Sequence, residues 1–328
     1  MNVQERKTRV ALLSVASNAT LVLMKLIVGL MIGSVSVISE AIHSGMDLVA
    51  SIIALFSVKT SSRPADESHA FGHGKIENIS GTLEALLIFI AAGWIIIEAI
   101  DKLLHPRPVE TALLGIGIML FSTLTNLLVS QQLFKVGRET DSIALQADGW
   151  HLRTDVYTSA GVMAGLCVIW TGSWYFPEYD IGWLDPACAI GVALLIIKAA
   201  YDLTVQSARD LLDANLPLDE QNWIRRLIEN QQDTVLGYHH LRTRKAGHFR
   251  FVEFHIQVDR KMTVEESHSL SQKLSNKIKE HLPHTTVTIH IEPCTGECSD
   301  KCLAGCLVSS SEPTKLHNSQ KRLLTPRC

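Results

Sequence analysis

Histidine and aspartate recur four residues apart at two places, His43 with Asp47 and His151 with Asp155. A helix turns once every ~3.6 residues, so each pair lies on one helix face. Imidazole nitrogen and carboxylate oxygen suit borderline divalent metals such as zinc. Together the two pairs supply four donors for one ion at ~2.0–2.2 Å. Calcium and magnesium prefer oxygen alone, so this donor set disfavours them. Both pairs lie inside long apolar segments, where ionisable groups are costly and mark ion paths or proton relays. A bound metal requires neutral imidazole and ionised carboxylate, so its binding and release are linked to protons. Free histidine titrates near pH ~6.5, within reach of physiological gradients.

Three further groups have metal-binding types. Asp66, His69 and His73 lie in a polar stretch where Gly72 and Gly74 let the backbone bend around an ion. Farther on, His255 stands on the polar face of one alternating segment and His290 with Glu292 on that of another. With His239 before them and His268 between them, they suggest a binuclear site at a dimer contact. The tail carries Cys294, Cys298, Cys302 and Cys306 at a spacing of four. On an unbroken helix the end cysteines stand ~18 Å apart, too far for one tetrahedral ion. Either glycines break that helix or the thiolates work in pairs. Thiols on a cytoplasmic tail stay mostly reduced, which favours metal over a disulfide framework.

These residues need elements to position them. The chain has 328 residues and a formal net charge of -3, enough for a membrane domain and a small soluble one. Near-neutral charge argues against nucleic acid as a partner. A membrane helix needs ~20 mostly apolar residues, and six candidates lie near 10–32, 34–58, 77–101, 111–134, 143–170 and 184–204. The second and fifth carry Glu40, His43, Asp47, Asp148, His151, Arg153 and Asp155, so they must face a protein interior or a water-filled cavity. Lys and Arg concentrate in the loops at 59–75 and 135–138 and ahead of the first span. Positive loops stay in the cytoplasm, which places both termini there, in an inner (plasma) membrane protein. Trp and Tyr over 170–183 fit the opposite interface. The polar start runs into a long apolar segment, unlike a signal peptide, so the first span is expected to be retained.

After Asp213 the pattern changes. Helical periodicity over 216–230 and 263–281 alternates with strands near 235–243, 249–258 and 286–292. That α-β-β-α-β order predicts a ferredoxin-like α+β domain with its helices on one sheet face. The expected division is a six-helix transport domain at 1–209, a metal-binding dimerisation domain at 210–293 and a flexible Cys-rich tail at 294–328.

The stretches Ser39–Asp47, Pro64–Lys75, His151–Asp155, His239–Arg244 and His290–Pro293 together resemble the cation diffusion facilitator family. Within it the chain is similar to bacterial zinc/proton antiporters, over roughly residues 8–293. The resemblance implies a homodimer in a lipid bilayer, exporting a divalent metal in exchange for protons by alternating access. It implies a transport site at His43, Asp47, His151 and Asp155, and a loop site at Asp66, His69 and His73. It also implies a regulatory zinc site at His239, His255, His268, His290 and Glu292, and an ion pair from Lys75 to an acid after the sixth span, for which Asp213 is the candidate. Two positions depart from the bacterial pattern. His43 and Glu292 each stand where those relatives carry Asp. A second imidazole tilts the site toward zinc and away from manganese. Glutamate reaches one methylene further, so its part in the regulatory site is less defined. Iron(II), cadmium, cobalt and nickel remain alternative cargoes, and a sensor without flux is the rival of another class. An intramembrane metalloprotease needs His-Glu-x-x-His, which does not occur, so no enzyme is expected.

Overall fold

The computed structural model describes residues 3–32, 35–105, 113–175, 184–295 and 305–307. The chain divides into two compact units, Met1–Leu212 and Asp213–Cys328.

The first unit contains six long helices among its described residues: α1 Val3–Ile32, α2 Val35–Ser61, α3 Lys75–Leu104, α4 Leu113–Glu139, α5 Ile143–Tyr175 and α6 Leu184–Leu211. The shortest has 27 residues, ~40 Å at 1.5 Å per residue, longer than the ~30 Å hydrocarbon layer. Four segments are long and apolar enough to cross a membrane by length and composition: Val3–Met31, Ala41–Ser61, Lys75–Asp101 and Pro186–Leu211. The sequence suggested six. Both α4 and α5 run into side chains outside the described set, and α5 carries Asp148, His151, Arg153 and Asp155 in its first half.

Burial in this unit is inverted relative to a water-soluble bundle. Leu23, Leu30, Phe56, Ile90, Trp94, Ile97, Leu124 and Leu195 are exposed, while Ser14, Asn18, Ser51, Asn126 and Asp148 are buried. An apolar belt of that size cannot be left in water; a bilayer is its natural solvent. Helix α1 packs on α2, α3 on α6 and α4 on α5. Small residues let the backbones approach. Ala85, Ala92, Ala147 and Ala200 are fully buried where α3, α5 and α6 meet. A Cβ on Gly81 would come within 2.8 Å of both Ser207 Oγ and Ile143 Cγ2, so that contact admits no side chain.

The second unit runs α7 Leu218–Glu229, β1 Gly237–Ala246, β2 Phe249–Val258, α8 Val264–His281 and β3 Thr285–Pro293. The sheet order is β1-β2-β3, with β1 antiparallel and β3 parallel to β2. The parallel β2–β3 pair requires a crossover, which α8 supplies. Thr263 and Glu266 form a reciprocal cap at its start, worth about 1 kcal/mol. Val252, Phe254, Ile256 and Val258 point to one face and pack on Ile224, Ile228, Leu270, Leu274 and Ile278 of the two helices. Each such side chain contributes roughly 1.5–3 kcal/mol on burial. Alternation sends the intervening residues of β2 to the other face.

The sheet gains a short addition at its free edge. The amide of Tyr238 donates to Gly305 O at 2.9 Å, and Leu307 donates to Leu236 O at 2.9 Å. Cys306 bridges Gly237 in antiparallel sense, and Leu307 packs on the core.

Candidate metal centres

In the helical unit the two His/Asp pairs meet crosswise. His151 Nε2 lies 3.1 Å from Asp47 Oδ1, and His43 Nε2 lies 3.9 Å from Asp155 Oδ1. Each pair has its own helix, and helices running in opposite directions bring the first member of one level with the second of the other. Donor atoms of His43, Asp47 and Asp155 all lie within 4.8 Å of one another. Ligands on a tetrahedral ion with bonds of ~2.1 Å stand about 3.4 Å apart, so the observed separations bracket what one ion needs. Asn126 Nδ2 donates to Asp155 Oδ2 at 3.4 Å and orients that carboxylate. Asp47 and His151 are buried, Asp155 is half-buried, and His43 is exposed. Arg153 does not join them; its guanidinium sits 5.5 Å from the Phe134 ring centroid. The Glu40 side chain lies outside the described residues.

One helical turn beyond the crossed pairs, a polar network ties α1, α2 and α5 together. Ser51 Oγ donates to Asp148 Oδ1 at 3.0 Å, Asn18 Nδ2 donates to Ser51 Oγ at 2.6 Å, and Ser14 Oγ lies 3.0 Å from Ser51 Oγ. Lys7 Nζ pairs with Glu77 Oε1 at 2.6 Å with both side chains buried. Glu77 also accepts from Ser61 and Ser142. Four helices thus converge on one carboxylate, which fixes the register of α2 and α5, the two that carry the ligands.

The loop between α2 and α3 gathers Asp66, His69 and His73. His69 Nδ1 and His73 Nε2 each lie 3.4 Å from a different oxygen of Asp66. Ser68 and His69 donate their amides to Asp66 Oδ1, and the Ser68 hydroxyl donates as well. The Ser68 hydroxyl, with the His69 amide behind it, holds the Asp66 carboxyl below its ordinary value. The carboxylate is therefore ionised and ready to bind a cation. Gly72 has φ +82, a left-handed turn that returns the chain so that His73 faces Asp66.

On the sheet, register brings the histidines together. His239 stands opposite His255, and His255 opposite His290, so three imidazoles cross the three strands in one row. Glu292 reaches all of them: His255 Nδ1 at 2.9 Å, His239 Nε2 at 3.2 Å and His290 Nε2 at 3.5 Å. His290 is largely exposed and Glu292 partly so. His240 belongs here too, and the sequence reading passed over it. In a regular strand neighbours alternate, so His240 would face the helices. The pairing instead slips between His239 and Arg242, and His240 takes φ 54. Its ring centroid lies 4.8 Å from that of His239 and 4.9 Å from that of His255. A non-glycine residue held left-handed costs about 1–2 kcal/mol, and bulges re-aim side chains at functional sites. Only the doubled His239-His240 gave a hint in the sequence.

His268 is exposed on α8, which packs on the far face of the sheet from the His row. Lys75 Nζ donates to Leu211 O at 3.3 Å, while Asp213 accepts from Arg244 at 3.3 Å. The Cys294 amide donates to Val258 O at the end of β3, whereas Cys306 lies outside β1. Three strand spacings of ~4.8 Å put them roughly 14 Å apart, so they do not share one ion. Cys298 and Cys302 lie outside the described residues, as do 176–183 of the aromatic connection and 308–328 of the tail.

Residues 11–212 match the cation efflux transmembrane domain, and residues 216–294 match the cation efflux protein cytoplasmic domain. An uncharacterized transporter of Synechocystis sp. is 35% identical over 80% of this chain and 82% of its own length. The cation-efflux pump FieF of Yersinia pestis is 32% identical over 87% of this chain and 92% of its own length. A solved structure of the candidate zinc transporter CzrB in its zinc form is 36% identical, covering 26% of this chain and 96% of that one, with a TM-score of 0.24. The chain belongs to the cation diffusion facilitator family and is a membrane cation efflux transporter.

Proposed function

We propose that this chain exports zinc from the cytoplasm in exchange for protons, as a homodimer with six spans per protomer and both termini cytoplasmic. The observation that carries the reading is the crossed pairing of His43 with Asp155 and His151 with Asp47. An ionised carboxylate only accepts hydrogen bonds, so in the His151–Asp47 contact the ring nitrogen donates. That proton must leave before the same nitrogen can bind a metal. From a doubly protonated imidazole, loading zinc releases that proton, and protons arriving from the other side restore the pairs and expel the ion. The two carboxylates and two imidazoles match a borderline ion better than an oxygen-seeking one.

Alternating access supplies the rest. The donors sit on two facing helices, so a rocking of the surrounding helices about the site opens it to one side or the other. The loop ligands Asp66, His69 and His73 offer a cytoplasmic collecting point. The His row on the sheet offers a sensor for cytoplasmic zinc.

Proteoliposomes loaded with zinc test this. Acidifying the solution on the acceptor side should accelerate zinc release, and His43→Ala/Asp155→Ala should abolish it. Release that ignores the proton gradient would remove the exchange mechanism. Zinc binding to protein that transports none, with or without the gradient, would make the chain a sensor.

A further inference from the structure

The outer face of α4 changes character along its length. With ~3.6 residues per turn, Phe121, Leu124, Leu128, Gln131, Lys135 and Arg138 fall within about a third of the helix circumference, and all are exposed. The stripe begins apolar, turns polar at Gln131 and ends on two cations. Leu124 to Arg138 spans ~21 Å along the axis, close to one bilayer leaflet with its headgroups. We propose that this face, together with Arg153 of α5, binds an anionic phospholipid, with its acyl chains along Leu124 and Leu128 and its phosphate between Arg138 and Arg153.

Arg153 is the unusual member. A guanidinium within a membrane helix is costly unless it reaches a partner or the interface. Arg153 stands ~15 Å along α5 from its start at Ile143. Side chains lean toward the N-terminus of their helix, and Arg153 reaches back to Phe134, near the end of α4. Its guanidinium carbon lies 5.5 Å from the Phe134 ring centroid, and that of Arg138 lies 5.6 Å from the same centroid. The two cations therefore stand no more than about 11 Å apart, and a phosphodiester with bonds of ~2.8 Å to each spans most of that. Trp150 meets the Phe134 ring edge-on at 5.2 Å and holds it in place.

Charge calls for an anion here. Among the described residues no carboxylate pairs with Lys135, Arg138 or Arg153. Glu139, the acid next to Arg138, is engaged by Arg6 of α1. Arg153 Nε is buried without a hydrogen-bond partner. A guanidinium presents a planar fork that matches two phosphate oxygens. A free phosphate would satisfy the cations and leave the apolar part of the stripe unused, whereas a phospholipid uses both. Cations beside a membrane surface attract anionic lipid in the same way.

The site requires only that these helices span a bilayer, so it stands apart from zinc and from proton exchange. Full-length protein in neutral detergent is incubated with phosphatidylglycerol or with phosphatidylcholine of the same chains, and bound lipid is counted by native mass spectrometry. The parent should retain phosphatidylglycerol about tenfold better, and Arg138→Gln and Arg153→Gln should each lower that preference about fivefold. Arg153→Lys keeps the charge and should stay within about twofold of the parent. Lys59→Gln removes an exposed cation of α2 and should leave the preference unchanged. Inorganic phosphate at millimolar concentration should not displace the lipid. A parent without preference would overturn the proposal, as would a loss in Lys59→Gln equal to that in Arg153→Gln. A loss in Arg153→Lys as large as in Arg153→Gln would assign the effect to packing on Phe134 and overturn it too. Displacement by inorganic phosphate would leave a simple anion site and remove the lipid.

Discussion

The helical unit and the sheet unit both gather histidine with carboxylate, in opposite surroundings. At the crossed pairs the side chains of His151 and Asp47 are 10% and 5% exposed. On the sheet those of His290 and Glu292 are 61% and 31% exposed. The same ion–ligand attraction is several-fold stronger in the first setting, because little water screens it. The unpaired state is correspondingly more costly, so the buried site passes between proton-bound and metal-bound forms. The exposed site tolerates partial filling and exchanges freely with solution. Donor type alone does not separate the two; the His151–Asp47 half of the helical site is enclosed, while its His43–Asp155 half is 54% and 21% exposed.

That contrast can be broken by experiment. The largest expected effect is on flux. Asp47→Ala removes the partner of a buried imidazole and should lower zinc transport in proteoliposomes by about 100-fold or more. Glu292→Ala should leave transport at saturating zinc within about threefold. Equal losses would erase the distinction between the sites.

Stability should follow the same order. Glu77→Ala leaves Lys7 buried without its carboxylate, at a loss of about 3–5 kcal/mol for the helical unit. Glu220→Ala removes a two-point contact to Arg250 that is 15–17% exposed, and should cost about 1 kcal/mol. Thermal unfolding of each variant in detergent measures the difference.

A smaller change is expected in selectivity. His43→Asp replaces the most exposed donor of the buried site with oxygen and should raise competition by manganese about tenfold. Unchanged competition in a zinc uptake assay would mean that His43 does not set the choice of metal.

The smallest effect concerns the loop. With the Asp66 pKa lowered in the folded state, its contribution to stability is fully present above the ordinary carboxylate range and is lost as pH falls through the lowered value. Ser68→Ala removes the main cause. The Asp66 titration followed by NMR should then move up toward the ordinary value, and loop zinc binding should fail at a higher pH.

How far the sequence exposed these sites depends on the element beneath. His43 and Asp47 were legible because helical spacing alone places residues four apart on one face. The alternating runs of β2 and β3 gave His255, His290 and Glu292 for a similar reason. His240 was hidden, because the bulge that turns it is set by pairing with a strand distant in sequence. The cysteine ladder left its geometry open. A spacing of four looks helical, yet Cys294 continues β3 and Cys306 lies extended along β1. Six spans were anticipated; among the described residues four segments are long and apolar enough, and α4 and α5 run into side chains outside that set.

The short segment Gly305–Leu307 has a consequence for how the protein survives at high concentration. A bare edge strand is a template on which neighbouring molecules polymerise. Here Gly305–Leu307 covers the start of β1, at Leu236–Tyr238, and a Cβ on Gly305 would lie 1.8 Å from Tyr238 O, so no other residue fits. A protein shortened before residue 305 would lose Leu307 from its core and bare the start of β1 to every neighbour. Its first symptom would be precipitation during expression, ahead of any loss of transport.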